Sequence, residues 1–151
     1  MAPLVVVGLL FAATQAVQAD VTDVDDDAPV VVEVVGFQWQ WRFTYPEEGI
    51  SFVGTPESGP PELVLPVGET TRFELVAEDV AHSFWVPDLL EKRDLIPGLE
   101  NELDLTPTRA GTFVGRCAEF CGLQHWSMGF SVRVVERAEF DAWLSEMRAD
   151  A

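Results

Sequence analysis

The C-terminal third of the sequence gathers side chains that bind soft metal ions. Cys117 and Cys121, the only two cysteines, stand four positions apart, and His125 and Met128 follow shortly after. His82 is the only other histidine in the chain. Thiolates, imidazoles and a thioether together favour copper over magnesium, calcium or manganese. The sequence therefore predicts a copper site.

The second cysteine decides what kind of copper site to expect. A mononuclear blue-copper site needs one cysteine, two histidines and a weak axial methionine, so a further thiolate supplies ligands for a second ion. Two bridging thiolates can join two copper ions, each completed by one histidine. Met128 would cap one ion and the backbone carbonyl of Glu119 the other. Two alternatives stay open, a zinc site of the two cysteines and two histidines and a Cys117–Cys121 disulfide, but neither gives Met128 a role.

Short β-branched and aromatic segments, punctuated by glycine and proline, predict the strands that position these ligands. We expect strands at residues 62–65, 70–77, 81–86, 99–106, 111–117 and 129–136. Strands of this length and spacing are typical of an all-β Greek-key sandwich or barrel. A ligand from a distant strand, His82, that closes onto a loop cluster resembles the cupredoxin-like arrangement. The strand at 111–117 would deliver Cys117 to the mouth of the fold, and the following loop would carry the other ligands.

Two further segments complete the predicted domain. Residues 30–45 begin β-branched and continue as a strict alternation of aromatic and polar residues, which predicts one extended run with Phe37, Trp39, Trp41 and Phe43 on a shared face. A loop at 46–61 follows. Residues 137–149 place apolar side chains at helical spacing, which predicts a short C-terminal helix that covers the core.

The N-terminal segment predicts a membrane anchor. Residues 2–19 contain no charged side chain, and a helix of that length reaches about 27 Å, close to the hydrocarbon thickness of a bilayer. A signal peptide is the alternative for residues 1–19, because Val17-Gln18-Ala19 resembles a small-residue cleavage site. We interpret residues 20–29 as an acidic linker and residues 30–151 as the copper domain. Both interpretations place that domain on the extracytoplasmic face of the cell membrane.

The charge of the chain limits its partners. There are 26 acidic residues against 9 basic ones, a net charge of -17, and Lys92 is the single lysine. Such a surface repels phosphate, so a general nucleic-acid binder is excluded. The acidity suits either a docking patch for a basic redox partner or a halophilic surface. Because the acidic residues are spread through the chain, we favour adaptation to high salt, where partner docking relies on short-range and apolar contacts.

The loop C-A-E-F-C-G-L-Q-H-W-S-M at residues 117–128 resembles the copper-binding loop of cytochrome c oxidase subunit II, the CuA-bearing subunit of haem–copper terminal oxidases. The resemblance extends to H-S-F-W-V-P from His82, to D-L-I-P-G from Asp94 and to G-F-Q-W-Q-W from Gly36. It covers about residues 30–136. Members commonly carry two N-terminal transmembrane helices, or one in some branches, and at most one fits here. We therefore expect a single-anchor variant, a truncated start or an exported carrier.

Carried over position by position, the resemblance implies a binuclear CuA centre of two copper ions. The implied ligands are the side chains of His82, Cys117, Cys121, His125 and Met128 and the carbonyl of Glu119. The Glu119 side chain is implied to bind magnesium at the interface with the catalytic subunit. Trp39 matches the residue that receives electrons from the donor, and we interpret Trp41 as packing.

The resemblance implies the electron-transfer subunit of a cytochrome c oxidase-type terminal oxidase. This chain would take electrons from a soluble cytochrome c or a small blue-copper protein and pass them to haem in a catalytic partner subunit, which carries out the oxygen chemistry. A stand-alone anchored or exported CuA electron carrier is one alternative. A copper chaperone is another, but chaperones with a C-x-x-x-C motif usually have a thioredoxin-like α/β fold.

Overall fold

The structure is a computed structural model that describes residues 2–22, 24–25, 27–54 and 59–149. Asp23 and Asp26 of the predicted acidic linker, and positions 55–58 of the predicted loop, lie outside the described residues. The regular elements are α1 (Ala2–Thr22), β1 (Val30–Phe37), β2 (Gln40–Tyr45), β3 (Ile50–Val53), β4 (Glu62–Pro66), β5 (Thr71–Ala77), β6 (His82–Val86), β7 (Glu91–Leu95), β8 (Asn101–Leu105), β9 (Gly111–Cys117), β10 (Gly129–Val135) and α2 (Arg137–Ala149).

In the described part of the chain, ten strands form two five-stranded sheets that face each other. The first sheet has the order β3-β2-β1-β5-β8 and the second has the order β4-β10-β9-β6-β7. Most neighbours are antiparallel, but β1 pairs with β5 and β10 pairs with β4 in parallel. The chain crosses between the sheets repeatedly, so strands distant in sequence become neighbours. The all-β sandwich with an N-terminal apolar helix and a short C-terminal helix is confirmed.

Aromatic rings fill the space between the sheets beneath the ligand loop. Phe130 stacks on Phe84 at 4.8 Å between centroids and meets Trp41 edge-on at 5.3 Å. The Phe130 ring lies flat across Gly115 of β9, where an added Cβ would stand 2.1 Å from the ring. Each fully buried aromatic side chain contributes roughly 1.5–3 kcal/mol of transfer free energy. These packed rings support the loop that follows β9 and form what we call the floor beneath it.

The single extended run predicted at 30–45 is wrong. The chain turns at Gln38 and Trp39, so β1 and β2 form an antiparallel hairpin with Gly36 opposite Trp41. The turn removes Trp39 from the face that Trp41 shares with Phe43, since both of those side chains are fully buried while Trp39 is only partly buried. An alternating pattern does not reveal a tight turn that lacks glycine or proline, because the register continues in the returning strand.

Two strands were absent from the prediction. The strand β3 lies within the predicted loop at 46–61, where flanking proline and glycine hid four residues of strand. The strand β7 reads Glu-Lys-Arg-Asp-Leu, which is too polar to be recognised, and it forms an edge through its pairing with β6. Tertiary pairing overrides weak propensity at such edges.

The two helices differ in how they relate to the sandwich. The helix α2 spans the predicted 137–149 and buries Phe140 and Leu144, with Trp143 packed at 5.2 Å from the ring of Tyr45. The helix α1 extends three residues beyond the predicted anchor, to Thr22. Its segment Ala2–Ala19 is exposed throughout and is long and apolar enough to cross a membrane, a test that a signal sequence also passes.

Candidate metal centre

The predicted ligand loop is closed at its base by the ends of two strands. Cys117, the last residue of β9, donates its backbone N–H to the Met128 carbonyl at 3.0 Å. Ala118 donates to the Ser83 carbonyl at 3.1 Å, which ties the loop to β6. A short 3-10 turn at His125–Ser127 ends with Met128 donating to the His125 carbonyl at 3.3 Å. The loop therefore starts and finishes at one point on the sandwich.

Two sulfur atoms lie at the centre of this loop. The Sγ atoms of Cys117 and Cys121 are 3.8 Å apart, and both cysteines are free and buried. Each sulfur faces one imidazole: Nδ1 of His82 is 3.8 Å from the Cys117 sulfur, and Nδ1 of His125 is 3.6 Å from the Cys121 sulfur. The arrangement is two thiols flanked by two imidazoles, with one imidazole on each side.

Two weaker donors complete the set. The Met128 sulfur is 3.8 Å from the Cys121 sulfur, and the Glu119 carbonyl oxygen is 3.2 Å from the Cys117 sulfur. The Glu119 side chain is exposed. The structure thus brings all six predicted donor groups together, with Met128 and the Glu119 carbonyl beside different sulfurs.

The two thiols differ in acidity. Burial raises the pKa of both. At Cys117 burial is the largest single influence, but the hydrogen bonds with His82, with the backbone of Glu119 and Ser83 and with His125 together outweigh it and lower the pKa to about 6. At Cys121, burial together with the neighbouring charge of Cys117 raises the pKa to about 12. The lowered pKa favours the thiolate form of Cys117, and a thiolate is the form that binds metals.

Asp79 orients the imidazole of His82, a role that the sequence reading missed. Its Oδ1 is 2.9 Å from His82 Nε2, while its other oxygen accepts the backbone N–H of Gln38 at 2.8 Å. Burial opposes the charge of the carboxylate, but the bond to His82 and the backbone N–H groups of Gln38 and Val80 lower its pKa. Because Nε2–H donates to Asp79, the Nδ1 side of the ring faces the sulfur pair. A carboxylate three residues before a predicted ligand was the available signal.

Trp39 contacts the site through a hydrogen bond. Its indole Nε1–H donates to the Cys121 carbonyl at 3.1 Å, and the Gln38 side-chain amide donates to the same oxygen at 2.7 Å. Gly122 packs against both side chains at a φ of +118°, and an added Cβ would stand 3.0 Å from the Gln38 amide nitrogen. The turn between β1 and β2 therefore lies directly against the ligand loop. Trp41, predicted as packing, is fully buried.

Comparison with known proteins agrees with this geometry. The family model described as "Cytochrome C oxidase subunit II, periplasmic domain" matches residues 59–135. The chain belongs to the cytochrome c oxidase subunit II family. A probable cytochrome c oxidase subunit 2 of Streptomyces avermitilis is 36% identical over 182 residues, which cover 96% of this chain and 57% of the relative. The chain thus spans little more than half the length of that family member.

Solved structures of family members have the same fold. The periplasmic domain of subunit II of cytochrome oxidase from Bradyrhizobium japonicum superposes with a TM-score of 0.74 at 32% identity, covering 82% of this chain and 96% of that one. A second structure is a mixed disulfide between a thioredoxin-like protein and subunit II of cytochrome c oxidase. Its TM-score is 0.73 at 31% identity, covering 85% of this chain and 96% of that one.

The donor set fits the copper centre that the subunit II family implies. His82, Cys117 and Cys121 present one donor atom each within 4.8 Å of one another, and all three residues are buried. Soft sulfur and imidazole donors without a carboxylate among them suit copper. Membership of the family and the chemistry of these donors therefore agree.

Proposed function

We propose that this chain is the electron-transfer subunit of a haem–copper terminal oxidase. It accepts electrons one at a time from a soluble cytochrome c or blue-copper donor and passes them to haem in a catalytic partner subunit. The observation that carries the proposal is the pair of free thiols 3.8 Å apart, each facing its own imidazole. Family membership supports the same conclusion.

The same geometry supports a binuclear centre with two copper ions. Cys117 and Cys121 would bridge the ions, with His82 and His125 completing one each, and Met128 and the Glu119 carbonyl as weak caps. When bound, the thiolate-bridged pair would share a single electron and pass it on with little change in geometry. The residues of this chain supply rigidity and exclude water, because His82 is fully buried and both cysteines and Met128 are nearly so.

Metal content tests the binuclear site. The copper-loaded full chain is expected to be purple, to hold two copper ions and to give a seven-line electron paramagnetic resonance pattern from one electron shared over two nuclei. A single copper or a preference for zinc would reject the binuclear site. Copurification of haem with the tagged chain separates the oxidase subunit from a stand-alone carrier. The all-β sandwich differs from the α/β fold expected of a chaperone.

Trp39 is the proposed point of electron uptake. Its indole N–H donates to the carbonyl of Cys121. One hydrogen bond and the covalent bonds within Cys121 therefore connect the ring to a sulfur that would bridge the copper ions. Trp39→Phe keeps an aromatic ring but removes the indole N–H, and we expect slower reduction by reduced cytochrome c with an unchanged copper spectrum. Trp143→Phe, on α2 where the ring packs against Tyr45, is the control. Equal rates in both variants would contradict the uptake role.

Glu119 supports the proposed magnesium site. Its carbonyl oxygen lies beside Cys117 while its carboxylate is exposed, so one residue could contact both copper and an ion held at the interface with the catalytic subunit. Carboxylates are the usual protein ligands of magnesium. Glu119→Gln is expected to weaken binding of manganese, as a magnesium probe, in the assembled oxidase while leaving the copper spectrum unchanged. Unchanged manganese affinity would contradict the site.

Exposed apolar side chains around the loop support docking to protein partners. Phe120, Leu123 and Trp126 are 77%, 88% and 84% exposed. Large apolar groups concentrated in one exposed loop mark an interaction surface.

The helix Ala2–Ala19 supports a membrane anchor, with residues 20–29 as linker and the copper domain on the extracytoplasmic face. Protease treatment of intact spheroplasts should therefore remove the domain and leave the anchor in the membrane.

A thioredoxin-like reductant is a further proposed partner, supported by the mixed disulfide that a subunit II relative forms with such a protein. If Cys117 and Cys121 oxidise to a disulfide, a thiolate of the reductant attacks one sulfur, forms a mixed disulfide and releases the other cysteine. A second reductant thiol then displaces the first cysteine, so the reductant leaves as a disulfide and both cysteines are reduced. Mild oxidation of the copper-free chain should abolish copper uptake, and a dithiol should restore it. Full copper uptake after oxidation would contradict the scheme.

A further inference from the structure

The turn between β1 and β2 contacts both sides of the sulfur pair through one residue. The Gln38 side-chain amide donates to the Cys121 carbonyl at 2.7 Å, and the Gln38 backbone N–H donates to Asp79 at 2.8 Å. Asp79 in turn holds His82. The Trp39 indole shares the Cys121 carbonyl oxygen with the Gln38 amide.

We propose that the side chain of Gln38 is a positioning residue for electron uptake. It holds the Cys121 carbonyl against the indole N–H of Trp39 and so maintains the connection between that ring and the sulfur pair. The inference rests on the proposed electron-transfer function and extends it to a residue whose described hydrogen bonds go to Asp79 and to the Cys121 carbonyl.

The need for this contact follows from the local backbone. The carbonyl of Cys121 belongs to the peptide that precedes Gly122, whose φ of +118° is open to glycine and strained for other residues. A peptide next to such a glycine can rotate, and the indole N–H alone is a single contact at 3.1 Å. The amide of Gln38 makes the shorter of the two bonds, and an added Cβ at 122 would stand 3.0 Å from its nitrogen, which is tighter than an ordinary contact.

Substitution of Gln38 separates this role from orientation of His82. Gln38→Leu removes the amide at similar volume and keeps the backbone N–H that donates to Asp79. Gln38→Glu keeps the shape of the side chain but places a carboxylate against the Cys121 carbonyl. Gln124→Leu is the matched control, because Gln124 lies exposed in the same loop and contributes only its backbone carbonyl to the described hydrogen bonds.

Hydrogen exchange of indole N–H groups tests the contact without copper. In nuclear magnetic resonance spectra of the copper-free full chain in detergent, both Gln38 variants should speed exchange of the Trp39 indole proton by roughly fivefold or more, the factor expected for loss of one supporting hydrogen bond. The Trp41 indole, which donates to the Met128 carbonyl at 3.4 Å, serves as an internal reference and should not change. Unchanged Trp39 exchange, or equal acceleration in Gln124→Leu, overturns the proposal.

A double-mutant cycle tests whether Gln38 acts through Trp39. The copper-loaded chain is reduced by cytochrome c, and Gln38→Leu, Trp39→Phe and the double variant are compared. We expect the double variant to be no slower than Trp39→Phe within about twofold, because both changes break one connection. Rates that fall by the product of the two single effects overturn the proposal. A wild-type chain that accepts no electrons refutes the proposed function instead, and the exchange measurement still decides the positioning role.

Discussion

The two imidazoles of the site face the same sulfur pair but are held in different ways. His82 is fully buried at the start of β6, is paired in register with Leu95 and is fixed by Asp79. His125 lies half-exposed in the loop turn, and among the described residues its Nε2 has no hydrogen-bond partner. The first imidazole is part of the sheet before any metal binds, whereas the second can adjust. We infer that the His82 side of the site is in place before copper binds, and that copper binding then fixes the position of the His125 side.

The largest expected contrast concerns the stability of the copper-free chain. His82→Ala removes a buried ring and should lower the free energy of unfolding by about 2 kcal/mol or more. His125→Ala removes a half-exposed ring and should change it by less than about 0.5 kcal/mol. Urea unfolding of the copper-free full chain measures both. Similar losses in the two variants would show that the halves are equally preformed.

A smaller effect is expected from Asp79. Both of its oxygens accept N–H donors, so Asp79→Asn must place an NH2 group against one of them. Loss of such a carboxylate partner typically costs 10- to 100-fold in metal affinity. Copper titration in the presence of a competing chelator measures this, with the exposed Asp88→Asn as control. An affinity equal to that of the control would mean that His82 needs no orientation by Asp79.

The smallest expected effect comes from steric pressure on the His82 ring. An added Cβ at Gly36 would stand 3.1 Å from that ring, which is closer than ordinary contact. Gly36→Ala should therefore shift the ring and weaken copper binding several-fold. Gly129→Ala is the control, because its Cβ would lie at an ordinary 3.7 Å from the nearest atom although it follows Met128. If both variants bind copper equally, the His82 half tolerates more displacement than a preformed site should.

The sequence was sufficient to find the donor side chains that the structure brings together and to predict most of the sandwich. The spacing of Cys117, Cys121, His125 and Met128 places four donors in one loop, and alternation with strong β-formers locates the central strands. The helix α2 was predicted at 137–149 because its apolar side chains follow helical spacing without interruption.

The contacts that support the ligand loop could not be predicted. Each joins segments that are far apart in sequence, and a local sequence pattern does not encode such tertiary contacts. Gln38 reaches the ligand loop only because the chain turns between β1 and β2, and alternation continues through that turn. The strand β7 is held by its partner and not by its own polar residues. Asp79 was within reach of a sequence argument, since ligating histidines usually donate to a carboxylate.

Gly115 has a consequence for how the family's sequence can vary. The Phe130 ring occupies the space that any side chain at 115 would need, and that ring forms the floor beneath the loop. In a saturation library selected for the proposed assembly with an oxidase, every replacement at 115 should be depleted as strongly as changes to the cysteines. A glycine that makes no side-chain contact of its own would thus accept substitution as poorly as a residue that supplies a metal-binding group.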